Sequence, residues 1–302
     1  MATLRERLDP QILAQINAKQ SAYPDLVIPE STLGVKREDR TIPGLENAPS
    51  VRVRIYQSDE RTDDPTPAFL FFHWGGFTGG SYEDYAGFLE RIVKETGAVV
   101  ASVDYRLAPE HPFPAAPNDC YAALQWLASP ENELNINLER IAVGGISAGG
   151  CLAAAIALIA RDKGGPKLCF QFLLIPNTDD RIATPSTQEI TDPLVFNRQG
   201  NQEAWEAYLG DSKDDVSPYA APARATDLSG LPPAYVYVEQ LDPLRDEGIR
   251  YAHRLMQAGV DTELHVSPGT YHGSFVFCPE TDIGKRVVSE HLSTLKRVLN
   301  PK

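Results

Sequence analysis

Short apolar runs alternating with amphipathic stretches set the outline of this chain. Ala68–Phe72 and Ala98–Val103 are continuous apolar runs of strand length, the pattern of strands covered on both faces. Val51–Ile55 alternates apolar with charged residues, as a half-exposed strand does. Ile141–Val143, Leu168–Ile175, Ala234–Glu239 and Thr262–Val266 complete the predicted strands. Between them lie segments of helical character: Phe88–Glu95, Asn118–Leu127, Leu152–Ile159, Leu244–Ala258 and Ile283–Leu299. Near the start, Asp9-Pro10 supplies an N-cap and a first-turn proline for a helix whose apolar face is Ile12, Leu13 and Ile16. Tyr23–Pro49 is punctuated by prolines and reads as irregular, and Arg61–Pro67 as a polar turn.

Strands alternating with helices predict an α/β fold, with a mostly parallel central sheet and helices on both faces. In such sheets the ligand site lies at the carboxyl ends of the strands. Thr178–Arg224 breaks the alternation. It is long and polar, carries Phe196, Trp205, Tyr208 and Tyr219, and is predicted to form a partly helical insertion over the sheet.

Candidate chemistry gathers at the predicted strand ends. Gly145-Ile146-Ser147-Ala148-Gly149 joins the strand Ile141–Val143 to the buried helix after it. A strand passing through Gly-x-Ser-x-Gly into a helix lifts the serine clear of the backbone, beside the free amides and positive dipole end of the helix. His73-Trp74-Gly75-Gly76-Phe77 follows another buried strand, and its glycines let backbone amides turn toward a ligand. With the amide after the serine, the predicted oxyanion donors are Gly75, Gly76 and Ala148. Trp74, unlike Gly, favours ordinary dihedrals, and it either packs under this loop or walls a pocket.

Asp242, after the strand Ala234–Glu239, is the candidate carboxylate to orient a histidine, and Pro243 makes it a candidate N-cap as well. Asp246 competes for the first role from one turn into the next helix, where a surface or supporting charge is expected. Of six histidines, only His272 is predicted in a loop at a strand's carboxyl end beside a glycine. The order Ser147, Asp242, His272 is that of the α/β-hydrolase arrangement. Val103–Ala116 carries alternating prolines and reads as a rigid buttress under the glycine loop, with Asp104, Arg106 and Glu110 as candidates for a buried charge network.

Composition narrows the alternatives. A net charge of −13 with scattered basic residues argues against nucleic-acid binding and for mild repulsion of anionic substrates. The histidine and cysteine spacings fit no metal set, and Gly-rich phosphate loops are missing from the sequence, so neither metal nor cofactor is expected. Cys120, Cys151, Cys169 and Cys278 form no Cys-x-x-Cys pair and are expected to be reduced. The amino-terminal residues show no signal-peptide core and no apolar run reaches membrane-spanning length, which predicts a cytoplasmic protein with no membrane partner. A homodimer is left open.

Together the glycine loop, the stretch Asp104-Tyr-Arg-Leu-Ala-Pro-Glu-His111, the serine elbow and Asp242-Pro-Leu-Arg-Asp-Glu-Gly248 resemble the hormone-sensitive-lipase-like carboxylesterases, the bacterial family IV branch of the α/β-hydrolases. The resemblance runs from about Val51 to the carboxyl terminus. It implies an α/β-hydrolase fold with a helical cap: one catalytic domain over 1–302, the cap built from about 1–45 and 178–224. It implies Ser147 as nucleophile, His272 as base and Asp242 as its orienting acid, with no cofactor. The implied activity is hydrolysis of small, uncharged, short-acyl esters. The alternatives are an amidase or N-deacetylase with the same triad, or a non-catalytic receptor like the gibberellin receptors, which lack the catalytic histidine that this chain keeps. Candidate pocket residues are Trp74, Phe77, Ile146, Phe196, Trp205 and Tyr208. Trp74 replaces a glycine of the family's His-Gly-Gly-Gly, Ile146 replaces the acid of its Gly-Asp-Ser-Ala-Gly, and Ser274 intervenes before Phe275.

Overall fold

The computed structural model describes residues 2–24, 33–46, 48–60 and 64–300. Eight strands form one sheet in the order β1-β2-β4-β3-β5-β6-β7-β8. They are β1 (Val35–Ile42), β2 (Val51–Ser58), β3 (Thr66–Phe72), β4 (Val99–Asp104), β5 (Ile136–Ile146), β6 (Phe170–Leu174), β7 (Ala234–Leu241) and β8 (Thr262–Tyr271). β1 and β2 pair antiparallel, as do β2 and β4; every other pairing is parallel.

Successive side chains of a strand point to opposite faces, and β3 feeds two separate cores in this way. Leu70 and Phe72 join the helices α4 (Ala115–Leu127), α5 (Ala148–Asp162) and α8 (Arg245–Gln257) on one face. Phe69 and Phe71 join α3 (Ala86–Thr96) and α10 (Asp282–Leu299) on the other. The helix after the elbow, α5, is buried on every side from Ala148 to Ala160, which explains its unbroken apolar sequence.

A third core lies at the carboxyl end of the sheet. There α1 (Leu4–Arg7) and α2 (Pro10–Lys19) bury Leu4, Ile12 and Ile16 against Ile190, Val195, Tyr271 and Phe277. Asp9 caps α2 as predicted, accepting from the N–H groups of Gln11 and Ile12. The 178–224 insertion contains α6 (Pro185–Glu189) and α7 (Arg198–Leu209), and no strand. No helix among the described residues is long and apolar enough to cross a membrane.

Two expectations change. The stretch 23–49, read as irregular, contains β1, so residues 35–42 belong to the sheet and not to a cap. Its residues 25–32 and 47, with 61–63 of the predicted turn, lie outside the described residues. The proposed network of Asp104, Arg106 and Glu110 does not form: Arg106 pairs with buried Asp119, Asp104 pairs with Arg52, and Glu110 is exposed.

Candidate active site

The elbow forms because β5 must turn into α5 within a single residue. Ser147 takes φ 59° and ψ −117°, a strained backbone for a residue with a side chain. Its flanks have no room for one. A Cβ on Gly145 would lie 2.3 Å from the Gly149 carbonyl oxygen, and one on Gly149 would lie 2.0 Å from that of Phe72. Hydrogen bonds from Ser147 N–H to the Leu174 carbonyl (2.9 Å) and from Asn177 N–H to the Ser147 carbonyl (3.2 Å) hold the turn against the end of β6.

β7 and β8 deliver the other two members. Ser147 Oγ lies 2.9 Å from His272 Nε2, and His272 Nδ1 lies 2.7 Å from Asp242 Oδ2. All three are buried or nearly so. With its proton on Nδ1, the ring donates to Asp242 and accepts from the Ser147 hydroxyl. Asp242 also fulfils part of the capping expectation, because its other oxygen accepts from Leu244 N–H at 2.8 Å. Asp246 faces elsewhere, accepting from Ser186 N–H (2.7 Å) and from Arg245 Nε (2.8 Å).

The glycine loop stands opposite. Gly75 has φ 117° and Gly76 φ 59°, while Trp74 keeps a negative φ, the conformation side chains favour. Among the described residues, no protein group accepts from the N–H of Gly75, Gly76 or Ala148. Residues 105–108 brace this loop from below: Tyr105 stacks on His73 at 4.1 Å and donates to its carbonyl at 2.8 Å, and Ala108 N–H bonds the Phe77 carbonyl at 2.9 Å. His73 is structural. Burial pushes its pKa down to about 4, and its Nδ1 is 2.6 Å from the Trp74 carbonyl oxygen.

Ser147, His272, Gly75 and Gly76 open onto a cavity of about 820 Å³ beneath α7. Of the candidate pocket residues, Trp74 and Phe196 line it, with the Phe196 ring 4.7 Å from that of His272. The other four do not. Ile146 points into the core beneath the sheet, and Phe77 stacks on Tyr208 at 3.9 Å beside Trp205, all of them buried. Trp205 donates to Asn177 Oδ1 at 2.9 Å and thereby ties α7 to the loop behind Ser147. In the 178–224 segment, the inward helix face holds the large aromatics, and smaller residues of α7 such as Gly200 and Ala204 border the cavity.

Two supporting residues escaped sequence reasoning. Tyr23 donates to the His272 carbonyl (3.1 Å) and accepts from Phe196 N–H (2.8 Å), joining the amino-terminal segment, the histidine loop and the 178–224 segment at one hydroxyl. Nothing in its surroundings along the chain marks it. Glu239 could have been found as the lone acid ending the apolar run Ala-Tyr-Val-Tyr-Val. Its buried carboxylate accepts from Gly273 N–H (2.5 Å), Ser274 N–H (3.2 Å) and the Ser274 hydroxyl (2.6 Å), so it fixes the turn that carries His272. Burial pushes its pKa up to about 8, the Ser274 hydroxyl draws it back, and nearby Asp242 adds to the rise.

A raised carboxyl pKa makes the folded state less stable as pH rises, because between the ordinary and the raised pKa the folded chain keeps a proton that the unfolded chain has released. The loss accrues as pH climbs from the ordinary carboxyl range through about 8. Glu239→Gln removes the titration. The melting temperature of the wild type, relative to Glu239→Gln, should fall between about pH 5 and pH 8 and then level off. A constant difference across that range would mean that Glu239 does not titrate there.

Comparison with known proteins adds an independent line. A family model described as alpha/beta hydrolase fold matches residues 69–276. Esterase LipI of Mycobacterium tuberculosis is 36% identical over 310 residues, spanning 97% of this chain and 96% of that protein. Carboxylesterase NlhH of the same organism is 36% identical over 292 residues, spanning 95% of this chain and 89% of that one. Among solved structures, a bacterial heroin esterase superposes with a TM-score of 0.92 at 41% identity, covering 99% of this chain and 100% of its own.

Proposed function

The chain belongs to the α/β-hydrolase family, in its hormone-sensitive-lipase-like branch, and on that premise we propose that it is a serine carboxylesterase acting on short-acyl esters through Ser147, His272 and Asp242. Its curated relatives are named as esterases and carboxylic ester hydrolases. The observation that carries the reading is the relay of 2.9 Å and 2.7 Å from Ser147 through His272 to Asp242, opening onto the cavity.

In this mechanism His272 Nε2 takes the Ser147 proton as Oγ attacks the ester carbonyl. The tetrahedral oxyanion accepts from the unused N–H groups of Gly75, Gly76 and Ala148. Collapse expels the alcohol, which receives its proton from His272, and leaves an acyl group on Ser147. His272 then takes a proton from water, the resulting hydroxide attacks the acyl carbonyl, and Ser147 is released with its proton restored. Asp242 holds the ring in the reactive tautomer throughout and balances the charge of the imidazolium.

Residues 2–24 and 178–224 serve as the cap over this cavity. The short-acyl preference is supported by its walls, where Trp74 and Phe196 stand close to the reacting atoms. In a p-nitrophenyl ester series, kcat/KM should peak at acetate to butyrate and fall at least about tenfold by dodecanoate. An acetanilide run beside the series should react far more slowly. Faster cleavage of the anilide would replace the esterase reading with an amidase one.

A further inference from the structure

The charge of the cavity wall points to a particular substrate class. Asp84 and Glu203 both line the cavity, and among its described lining residues there is no Lys or Arg. Asp84 is held in place through one oxygen, Oδ2, which accepts from Trp74 Nε1 (3.0 Å) and Ser81 N–H (2.9 Å). Its other oxygen has no partner among the described residues. Glu203 uses Oε1 to accept from Gln199 Nε2 at 2.9 Å, which leaves its second oxygen open as well. Among the described residues neither carboxylate forms an ion pair with a Lys or Arg, in a chain that carries a net charge of −13.

Trp74 links this acidic end to the reacting end. It directly precedes Gly75, and its ring edge lies 3.9 Å from where a Cβ on Gly273, beside His272, would sit. From there the indole reaches across to Asp84. Trp74 is half-buried, its ring packed against Phe277 at 4.9 Å and Tyr85 at 6.0 Å, and it lines the cavity; an indole bordering a cavity attracts a positive group through its π-system, and the carboxylate at its edge adds charge attraction.

We propose that the cavity selects esters bearing an ammonium group about one indole length from the ester carbonyl, held over Trp74 and beside Asp84, with Glu203 drawing the cation in. The proposal rests on the esterase reading above and replaces the uncharged substrates expected from sequence with cationic ones. An anionic ester meets two carboxylates and is disfavoured for the same reason.

The test compares 2-(trimethylammonio)ethyl thioacetate with its uncharged carbon isostere, 3,3-dimethylbutyl thioacetate, alongside p-nitrophenyl acetate. The two thioesters share shape and acyl group but differ in the acidity of the departing thiol, so their kcat/KM ratio is first divided by the ratio of their hydroxide-catalysed hydrolysis rates, and the corrected ratio reports the recognition of charge. At low ionic strength the wild type should favour the cationic ester by about tenfold or more, and added salt should shrink the ratio. Asp84→Asn keeps an acceptor for Trp74 and Ser81, and should lower the ratio at least about fivefold. Glu203→Gln, on the exposed side of α7, should lower it by a smaller factor. A wild-type ratio near one with p-nitrophenyl acetate turned over overturns the cation proposal and leaves the esterase reading standing. So does a preference that survives both substitutions. Failure to turn over any of the three esters removes the esterase reading itself.

Discussion

Ser147→Ala should lose on the order of 10⁶-fold in kcat on a short ester, as removal of a triad nucleophile does elsewhere. The fold should be little affected. The Ser147 side chain is nearly buried, and its hydrogen-bond partner is His272 Nε2. The bond from residue 147 N–H to the Leu174 carbonyl is a backbone bond and persists in the variant. Alanine meets the same positive-φ strain as serine and adds no atom to a turn already closed around Gly145 and Gly149. Melting temperature and kcat should therefore separate cleanly. A fluorophosphonate probe should mark wild type at residue 147 and leave the variant unlabelled. Labelling of Ser147→Ala, or activity above about a hundredth of wild type, would place the nucleophile elsewhere.

Asp242→Asn should cost up to about 10⁴-fold in kcat, and the hydrogen bonds explain why. Both oxygens of Asp242 face donors: Oδ2 faces His272 Nδ1, and Oδ1 faces Leu244 N–H. An amide has only one oxygen, so its NH2 must confront one of those partners. The Leu244 amide cannot change its proton, but the imidazole can. The asparagine therefore turns its oxygen to Leu244 and its NH2 to Nδ1, and the ring moves its proton to Nε2. In that tautomer Nε2 cannot accept the Ser147 proton. Asp246→Asn lacks this effect, because Asp246 bonds Ser186 and Arg245, not His272. It should lower kcat by less than about threefold and cost on the order of 1 kcal/mol of stability. Equal kinetic losses in the two variants would refute the separate roles given to them.

Much of the fold is legible in the sequence because its strands are buried on both faces. β3, β4 and the inner part of β5 had to be apolar throughout, and a short apolar run bounded by polar turns is hard to read otherwise. β1 escaped for the opposite reason. It lies at the sheet edge, and Val35 and Ile42 at its ends are its buried residues, with Lys-Arg-Glu-Asp-Arg-Thr between them. What holds it is its pairing with β2, including Asp39 opposite Arg54 with hydrogen bonds of 2.6 Å and 2.8 Å. β2 is the next element in the chain, but a strand held by main-chain pairing and charged cross-strand pairs carries no apolar period to record it.

The candidate site divides along the same line. The elbow, the glycine loop, Asp242 and His272 were visible because each needs a particular residue at a particular strand end, and a tight turn leaves its glycines in the sequence. Which aromatic faces the cavity was not visible. Phe196 and Trp205 stand in one segment with the same chemistry, yet one lies over His272 and the other is buried against Asn177. Nor did the sequence reveal that Tyr23 and Glu239 hold the His272 loop, or that Asp84 and Glu203 share a wall with Ser147. Local sequence determined which backbone turns and which apolar layers were possible. The direction of each remaining side chain was decided by packing between segments far apart in the chain, which only the tertiary structure brings together.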